Sequence, residues 1–554
     1  MPSSHVCPRY AYRRPAALDG PGRAEDARVV VVGGGVVGLT LALDLARRGV
    51  ASVLLDEDDT VSVGSRAICW AKRTLEIYDR LGLGQRFLEK GVTWNTGRVF
   101  FRDAEAYSFD LLPEQGHAYP AFVNLQQYYV EEWLVEACAA TGLVDLRWRN
   151  RAAAIENRPD GPLLTVETPD GAYSLRAGWL LACDGARSGI RQALGLPFVG
   201  QVFRDRFLIA DVRMDLPYPA ERRFWFDPPF HPGKTVLLHR QADGEWRMDF
   251  QLDADSDPEA ERRPERVEAR LRAMLGPDVP VGIGWASVYT FRCRRLERFR
   301  HGRTFFVGDS AHQVSPFGAR GGNSGVQDAD NLGWKLAAVL EGGAPEPLLD
   351  SYDAERGPAA DENILHSSRS TDFITPKSGA ALAYRDAVLE LAETHALARP
   401  LVNSGRLSRP TVLAGSPLST PDGGAPPAAL PTGSPPVDAP VLRDGRPDWL
   451  LRHLNTGGRF TLLAFDETGL RAPPAPPGVD LVVVAEREAA PGHLPGVLVD
   501  HSGLAARRWG CVPGEALLLR PDGHVAAGFR APTPEAVRSA HARALGNAVA
   551  AAAA

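Results

Sequence analysis

The chain has 554 residues but only six cysteines, and none of them forms a C-x-x-C pair. Cys7, Cys69, Cys138, Cys183, Cys293 and Cys511 are widely scattered. They read as reduced, individually placed thiols, which argues against a disulfide framework or a zinc site. Long apolar runs are also missing, since no uninterrupted stretch reaches the ~20 residues of a bilayer span. The opening segment carries arginines with no apolar run behind them, so no secretory signal is expected and the expected location is cytoplasmic. Charge of one sign is not in excess either. Sixty-two basic side chains face 68 acidic ones for a net charge of −6, which supplies no field for nucleic acid or an anionic membrane. Neither is an expected partner.

What is present is a nucleotide-binding pattern at 27–59, "ARVVVVGGGVVGLTLALDLARRGVASVLLDEDD". Gly33, Gly35 and Gly38 form G-x-G-x-x-G between a valine-rich strand and a helix. In such a turn the first glycine permits the tight bend, the second lets backbone approach a pyrophosphate, and the third lets helix and strand pack closely. The helix start then offers free N–H groups to phosphate. A second strand ends at Asp56, where an acid can accept both ribose hydroxyls of an adenosine; Glu57 is the neighbouring candidate, and only one of the two should point there.

Strand-like and helix-like segments then alternate to about residue 375. Near 200 the texture changes: "FLIADVRM", "ERRFWFD", "KTVLLHR" and "EWRMDFQL" alternate apolar and polar residues between turn signals. The expected organisation is a flexible segment 1–27 and the first part of a dinucleotide-binding domain at 28–199. An inserted antiparallel sheet at 200–292 and the second part of that domain at 293–375 follow. After these come a helical connection at 376–412, a Pro/Gly/Ala-rich linker at 413–440 and a compact C-terminal α/β unit at 441–554.

The choice between FAD and NAD(P) rests on "GRTFFVGDSAHQVSPFGARGGNSGVQDADNLGWKLAAVL". A buried strand delivers Gly308 and Asp309 to its C-terminal end, where α/β ligands sit. A carboxylate there suits the ribityl hydroxyls of FAD, which NAD lacks. Gly321 and Gly322 precede a helix expected to begin near Asn323, and their bare N–H groups can stabilise negative charge on N1 and O2 of a reduced flavin. No second strand–G-x-G-x-x-G–helix exists; "GLGQRF" at 82–87 lacks both the strand and the third glycine. NADH or NADPH would therefore act as a transient co-substrate on the FAD domain.

Gly33-x-Gly35-x-x-Gly38, Cys183-Asp184-Gly185 and Gly308-Asp309, in that order, resemble the three motifs of the single-component FAD-dependent aromatic hydroxylases, the para-hydroxybenzoate hydroxylase superfamily. "SRAI" places Arg66 where that family has a guanidinium near the flavin. "NLQQYYVEEWL" is similar to its Q-x-x-x-E-x-x-L helix start, favouring Gln127 over Gln126 as the flavin contact, and "SYDAERGP" resembles its closing helix. The resemblance spans about residues 28–375. More narrowly, the C-terminal unit resembles the thioredoxin-like extension of phenol, 3-hydroxyphenylpropionate and polyketide hydroxylases, although the lone Cys511 argues against a redox role for it.

The implied architecture is a Rossmann-like FAD domain with an inserted antiparallel-sheet substrate domain and a C-terminal thioredoxin-like domain. The implied activity is NAD(P)H- and O2-dependent hydroxylation of a small phenolic aromatic through a flavin C4a-hydroperoxide. The resemblance of the extension also implies a homodimer. By the same resemblance Asp184 and Asn323 join the cofactor residues, and Pro316 lines the ring-reacting side of the pocket beside Gly321 and Gly322. The inserted sheet supplies the pocket floor from among Phe224, Trp225, His231, His239, Arg247 and Asp249. Residue types alone do not separate substrate contacts from core filling there, and the phenol-deprotonating base stays unassigned. The alternatives are epoxidation or another oxidative ring modification by a flavin monooxygenase on the same scaffold, and a non-catalytic flavin-binding protein. The G-W-x-W-x-I-P signature of flavin halogenases is absent.

Overall fold

The computed structural model describes residues 5–20, 24–64, 66–403, 408–421, 430–486, 494 and 496–547. Its first strand, Glu25–Val32, ends in four consecutive buried valines, the pattern of a strand covered on both faces. It pairs in parallel with Gly171–Ala182 on one side and Ser52–Leu55 on the other. Thr304–Phe306 and Val144–Arg147 extend this parallel sheet outward on either side. The crossover helix Val36–Arg47 lies between the sheet and a late helix, Arg320–Leu340. That late helix carries glycine where the two come closest. A Cβ on Gly325 would fall 2.6 Å from Val37, and one on Gly333 would fall 2.1 Å from Asp44 Oδ2.

The second sheet has eight strands. In spatial order they are His312–Gln313, Gly282–Arg295, Val199–Arg213, Glu245–Leu252, Thr235–Arg240, Arg222–Phe226, Thr96–Phe101 and Ala104–Asp110. It therefore reaches beyond 200–292, drawing a hairpin from 96–110 and a short strand from 312–313. Thr96–Phe101 joins in parallel beside Arg222–Phe226, a pairing across more than a hundred residues that local pattern does not encode. One face packs Trp225, Met248 and Phe250 with Val267 and Leu271 of the helix Pro264–Leu275. The opposite face is divided. Phe207, Phe224, Phe226 and Phe291 form an apolar half with Ile374 and Leu389, from the helices Ser351–Ile374 and Gly379–Thr394. The other half is polar. A small sheet of Cys69–Ala71, Phe122–Asn124 and Val92–Trp94 joins the two domains.

The C-terminal unit is a seven-stranded sheet with a parallel pair, Phe460–Asp466 and Val479–Ala485, at its centre and the hairpin Ala516–Leu519/Val525–Phe529 beside it. Apolar layers cover both faces. All six cysteines are free. Burial pushes the Cys511 thiol up to about 12, so it stays protonated and unreactive near neutral pH.

The segment 1–27, expected to be a flexible lead-in, lies against the FAD domain in its described part. Tyr10 stacks on Trp148 with ring centroids 4.4 Å apart, and its N–H donates to the Asp59 carbonyl at 2.7 Å. The first strand begins at Glu25. The Pro/Gly/Ala-rich stretch 413–440 is likewise packed where described: Leu413 and Leu418 are buried, and the Thr420 N–H donates to the Ala526 carbonyl. Its residues 422–429 lie outside the described residues. Among the described residues, no helix is long and apolar enough to cross a membrane.

Candidate flavin site

The three motifs meet because the strands that carry them are neighbours in one parallel sheet. Gly33 has φ +107°, and a Cβ on it would sit 2.4 Å from the Cys183 carbonyl oxygen, so the first motif lies directly on the second. Gly308, at φ +67°, lies against Val37, two residues beyond Gly35. Asp309 follows it. Gly321 is close to this carboxylate, since its Cβ would stand 3.9 Å from Asp309 Oδ1. Gly322 faces Ala67 and Trp70.

The glycines divide into two kinds. Gly33, Gly38, Gly308 and Gly325 are crowded by protein atoms at 3.0 Å or less, and the fold itself requires them. Gly35 would bring a Cβ near only Glu131 Oε1, at 3.7 Å, and Gly185 would meet nothing within 4 Å. Gly185 is accounted for by its own φ of +72°, but Gly35, at φ −79°, needs glycine for neither backbone nor protein contact, and its bare backbone leaves a cradle open to a dinucleotide. The helix Arg320–Leu340 begins three residues before Asn323, after Ala319 in the left-handed region. Gly321 and Gly322 therefore stand in its first turn, where N–H groups have no partner within the helix. Two acids reinforce the fit. Burial raises Asp184, whose Oδ2 accepts the Ile190 N–H at 3.0 Å while its buried Oδ1 has no partner. Burial also raises Asp309, partly opposed by His312 and Arg66.

Asp56 is turned toward the glycine loop. Its Oδ2 accepts the Gly34 N–H at 2.5 Å and its Oδ1 the Asp58 N–H at 2.8 Å, while Glu57 is exposed. Burial raises Asp56 to about 6. Gln127 accepts the Ala67 N–H at 2.9 Å and donates to Ser62 Oγ and Glu131 Oε1, which fixes the loop that carries Arg66. Gln126 points to the second sheet, donating to Glu245 and the Ala242 carbonyl. Arg66 itself is exposed. Asn323 spends its side chain on backbone: it accepts the Ala71 N–H at 2.9 Å and donates to the Cys69 and Ala319 carbonyls. Any cofactor contact from Asn323 would come from its main chain. Pro316 is exposed on a loop anchored by buried Phe317, whose ring packs on Phe207 and Phe291.

The polar half of the second sheet lies against the loop that carries Arg66. Arg222, His239, Arg247, Asp211 and Trp285 are successive cross-strand partners, so they form one row on one face. Arg247 donates to both oxygens of Asp211, at 2.9 and 3.0 Å, and to the Arg66 carbonyl at 2.9 Å. Asp249 lies two residues along the same face, and burial raises it to about 6. Its Oδ1 and the Nδ1 of His239 are buried without partners. Burial, aided by Arg222 and Arg247, holds His239 well below its ordinary range, so the ring is neutral. Among the sheet candidates, Phe224 and Trp225 belong to the apolar cores, and His231 bonds the Gln251 carbonyl at 2.7 Å. Only His239, Arg247 and Asp249 belong to the polar half.

Two features escaped sequence reasoning. Glu131 was visible in its motif, at i+4 from Gln127, but had no assigned task; it accepts the Val36 N–H at 3.1 Å and the Ser62 N–H at 2.8 Å, tying the glycine-turn helix to the Arg66 loop. Asp328 accepts the Gly308 N–H at 3.2 Å, lies 2.5 Å from His312 Nε2 and takes Arg356 Nε at 2.6 Å. Nothing in "GVQDADN" signals that role.

Comparison with known proteins agrees with this geometry. Residues 26–367 match the family model described as "FAD binding domain". The chain is 34% identical over 541 residues to 6-methylpretetramide 4-monooxygenase of Streptomyces rimosus, covering 92% of this chain and 91% of that one. It is 31% identical over 372 residues to 3-(3-hydroxy-phenyl)propionate/3-hydroxycinnamic acid hydroxylase of Mycolicibacterium smegmatis, spanning 67% of this chain and 65% of the relative's length. Among solved structures, CabE, an aromatic hydroxylase from angucycline biosynthesis, matches with a TM-score of 0.69 at 27% identity over 94% of this chain and 99% of that one. The flavin-dependent monooxygenase PieE, in complex with FAD and substrate, shares the fold with a TM-score of 0.80 at 24% identity, covering 94% and 99%. A glycine cradle, three converging motifs and a family match over most of the sheet-forming chain lead to one assignment: this protein belongs to the FAD-binding family of flavin-dependent aromatic hydroxylases.

Proposed function

We propose that the protein hydroxylates a phenolic, polycyclic aromatic compound using NADH or NADPH and O2. The observation that carries this reading is the buried pair of unpartnered atoms, His239 Nδ1 and Asp249 Oδ1, on the sheet face that meets the Arg66 loop. When bound, FAD supplies the redox chemistry, accepting reducing equivalents from the nicotinamide and activating oxygen. The chain's residues have the remaining tasks. The Gly35 backbone and the first-turn N–H groups that follow Val36 hold the pyrophosphate, Asp56 takes the adenosine ribose, and Asp309 takes the ribityl hydroxyls. Arg66, on the loop fixed by Gln127, lies beside the ring. The first-turn amides of Gly321 and Gly322 stabilise negative charge on the reduced ring. Pro316 and Phe317 close the ring-reacting side and exclude water.

Asp249 accepts the substrate's phenolic proton, which makes the ring the better nucleophile, and neutral His239 orients a second oxygen of the substrate. The relative matched over most of both chains, named for action on 6-methylpretetramide, favours a polycyclic phenol over a simple one. The same reading includes the thioredoxin-like assignment of the C-terminal unit and a homodimer, whose mass light scattering would measure.

The test is a panel of phenolic acids and polycyclic phenols scored for coupled NAD(P)H use and hydroxylated product. The expected result is a yellow protein whose NAD(P)H oxidation accelerates with a polycyclic phenol and yields one hydroxylated product. Oxygen consumption that no phenol stimulates would overturn the reading.

A further inference from the structure

The C-terminal unit meets the FAD domain through buried charge. Arg520 and Asp522, both fully buried, lie on its hairpin. Arg520 donates through both terminal nitrogens to Glu355, with Nη2 to Oε2 at 3.0 Å. Asp522 accepts Trp334 Nε1 at 3.1 Å and Asn331 Nδ2 at 3.3 Å, from the late helix whose first turn holds Gly321 and Gly322. Lys335 adds a third charge, 2.6 Å from Glu355 Oε2, and Ser416 donates to Oε1. The attraction to Arg520 and Lys335 outweighs burial and holds Glu355 well below the usual carboxylate range, so it is ionised.

The residue after Glu355 faces the flavin side. Arg356 grips Asp328 at 2.6 Å, and Asp328 takes the Gly308 N–H, the residue before Asp309. One turn earlier, Tyr352 donates to the Phe306 carbonyl at 3.0 Å. The helix Ser351–Ile374 thus pins the strand end that presents Asp309, and the C-terminal hairpin pins that helix.

We propose that the C-terminal unit is a latch for the flavin site, with Arg520 and Asp522 acting as positioning residues that hold Glu355, and through it the Asp309 strand end, in the FAD-retaining geometry. This rests on the reading of Asp309 as the ribityl partner. Without Arg520, Glu355 keeps only Lys335 as a cationic partner and Asp522 loses its guanidinium, so the cluster carries an excess buried negative charge that must hydrate or move, and the helix carrying Arg356 moves with it.

The test follows FAD release from the holoenzyme by the rise in flavin fluorescence on dilution. Arg520→Met is expected to speed release about tenfold or more, and adding Glu355→Gln, which removes the excess negative charge, to restore most of the retention. Arg508→Met is the control. Arg508 joins the same unit to the Gln115 carbonyl and His117, away from Asp309, so its loss should leave release unchanged. Where Arg520→Met yields no soluble protein, Arg520→Lys is read on the same scale and should release FAD at an intermediate rate. Wild-type release from the Arg520 variants, or equal acceleration by Arg508→Met, overturns the latch. Asp309→Ala separates the two readings: unchanged release from that variant overturns the ribityl assignment instead.

Discussion

Two buried polar clusters in this protein are built from similar residues and have opposite character. At the domain interface, Glu355, Arg520, Asp522, Lys335, Asn331 and Trp334 bond one another and leave little unspent. On the polar half of the second sheet, His239 and Asp249 each keep a buried polar atom without a partner. A buried polar group is costly unless paired, so the first arrangement is self-sufficient and the second is completed by something else. The difference separates cement from a binding surface more sharply than residue type does.

The largest expected effect breaks the first cluster. Glu355→Ala leaves Lys335 in the interior without its carboxylate and Arg520 with Asp522 alone, and should cost about 3–5 kcal/mol, read as a lower denaturation midpoint. His239→Ala, by contrast, should leave that midpoint nearly unchanged while raising KM for the aromatic substrate. Equal destabilisation by the two would erase the distinction. Next in size, Asp249→Asn should lower kcat/KM for a phenol by about 10²-fold or more. Burial raises Asp249 to about 6, and in the proposed role its ionised form accepts the proton, so wild-type kcat/KM should rise with pH through about 6 and then level. The asparagine variant should lack that inflection.

The glycines extend the contrast. Gly33→Ala forces a side chain into φ +107° against the Cys183 carbonyl and should cost at least ~1 kcal/mol in stability as well as FAD. Gly35→Ala meets no such wall, so it should keep its melting temperature and lose FAD affinity alone. The smallest effect concerns acid. His312 and Arg356 hold Asp328 down to about 2, below its ordinary value, so its stabilisation is full above pH ~4 and is lost as pH falls from there towards 2. Asp328→Asn should flatten this part of the acid-unfolding profile, measured by circular dichroism.

The flavin side of the site was readable because its signals are local. A valine-rich strand, three glycines at fixed spacing, a helix and an acid form a contiguous unit whose backbone conformation is dictated within a few residues. Gly308-Asp309 and Gly321-Gly322 sit at a strand end and a helix start for equally local reasons. The substrate side was not readable to the same depth. That His239 and Asp249 share a face with Arg247, while His231 bonds Gln251 and Trp225 lies on the far side, follows from strand register, which is settled across the sheet. The parallel entry of Thr96–Phe101 beside Arg222–Phe226 is a similar case.

Sequence alone determined the dinucleotide turn, the order of the flavin motifs and the presence of a separate C-terminal unit, since each is written in short-range pattern. Only the tertiary structure decided which polar residues are spent on one another and which keep a buried atom without a partner. Glu355 and Arg520 stand 165 residues apart, and no local conformational preference pairs them. Their pairing comes from two domains packing, which brings Lys335, Glu355, Arg520 and Asp522 together at the seam.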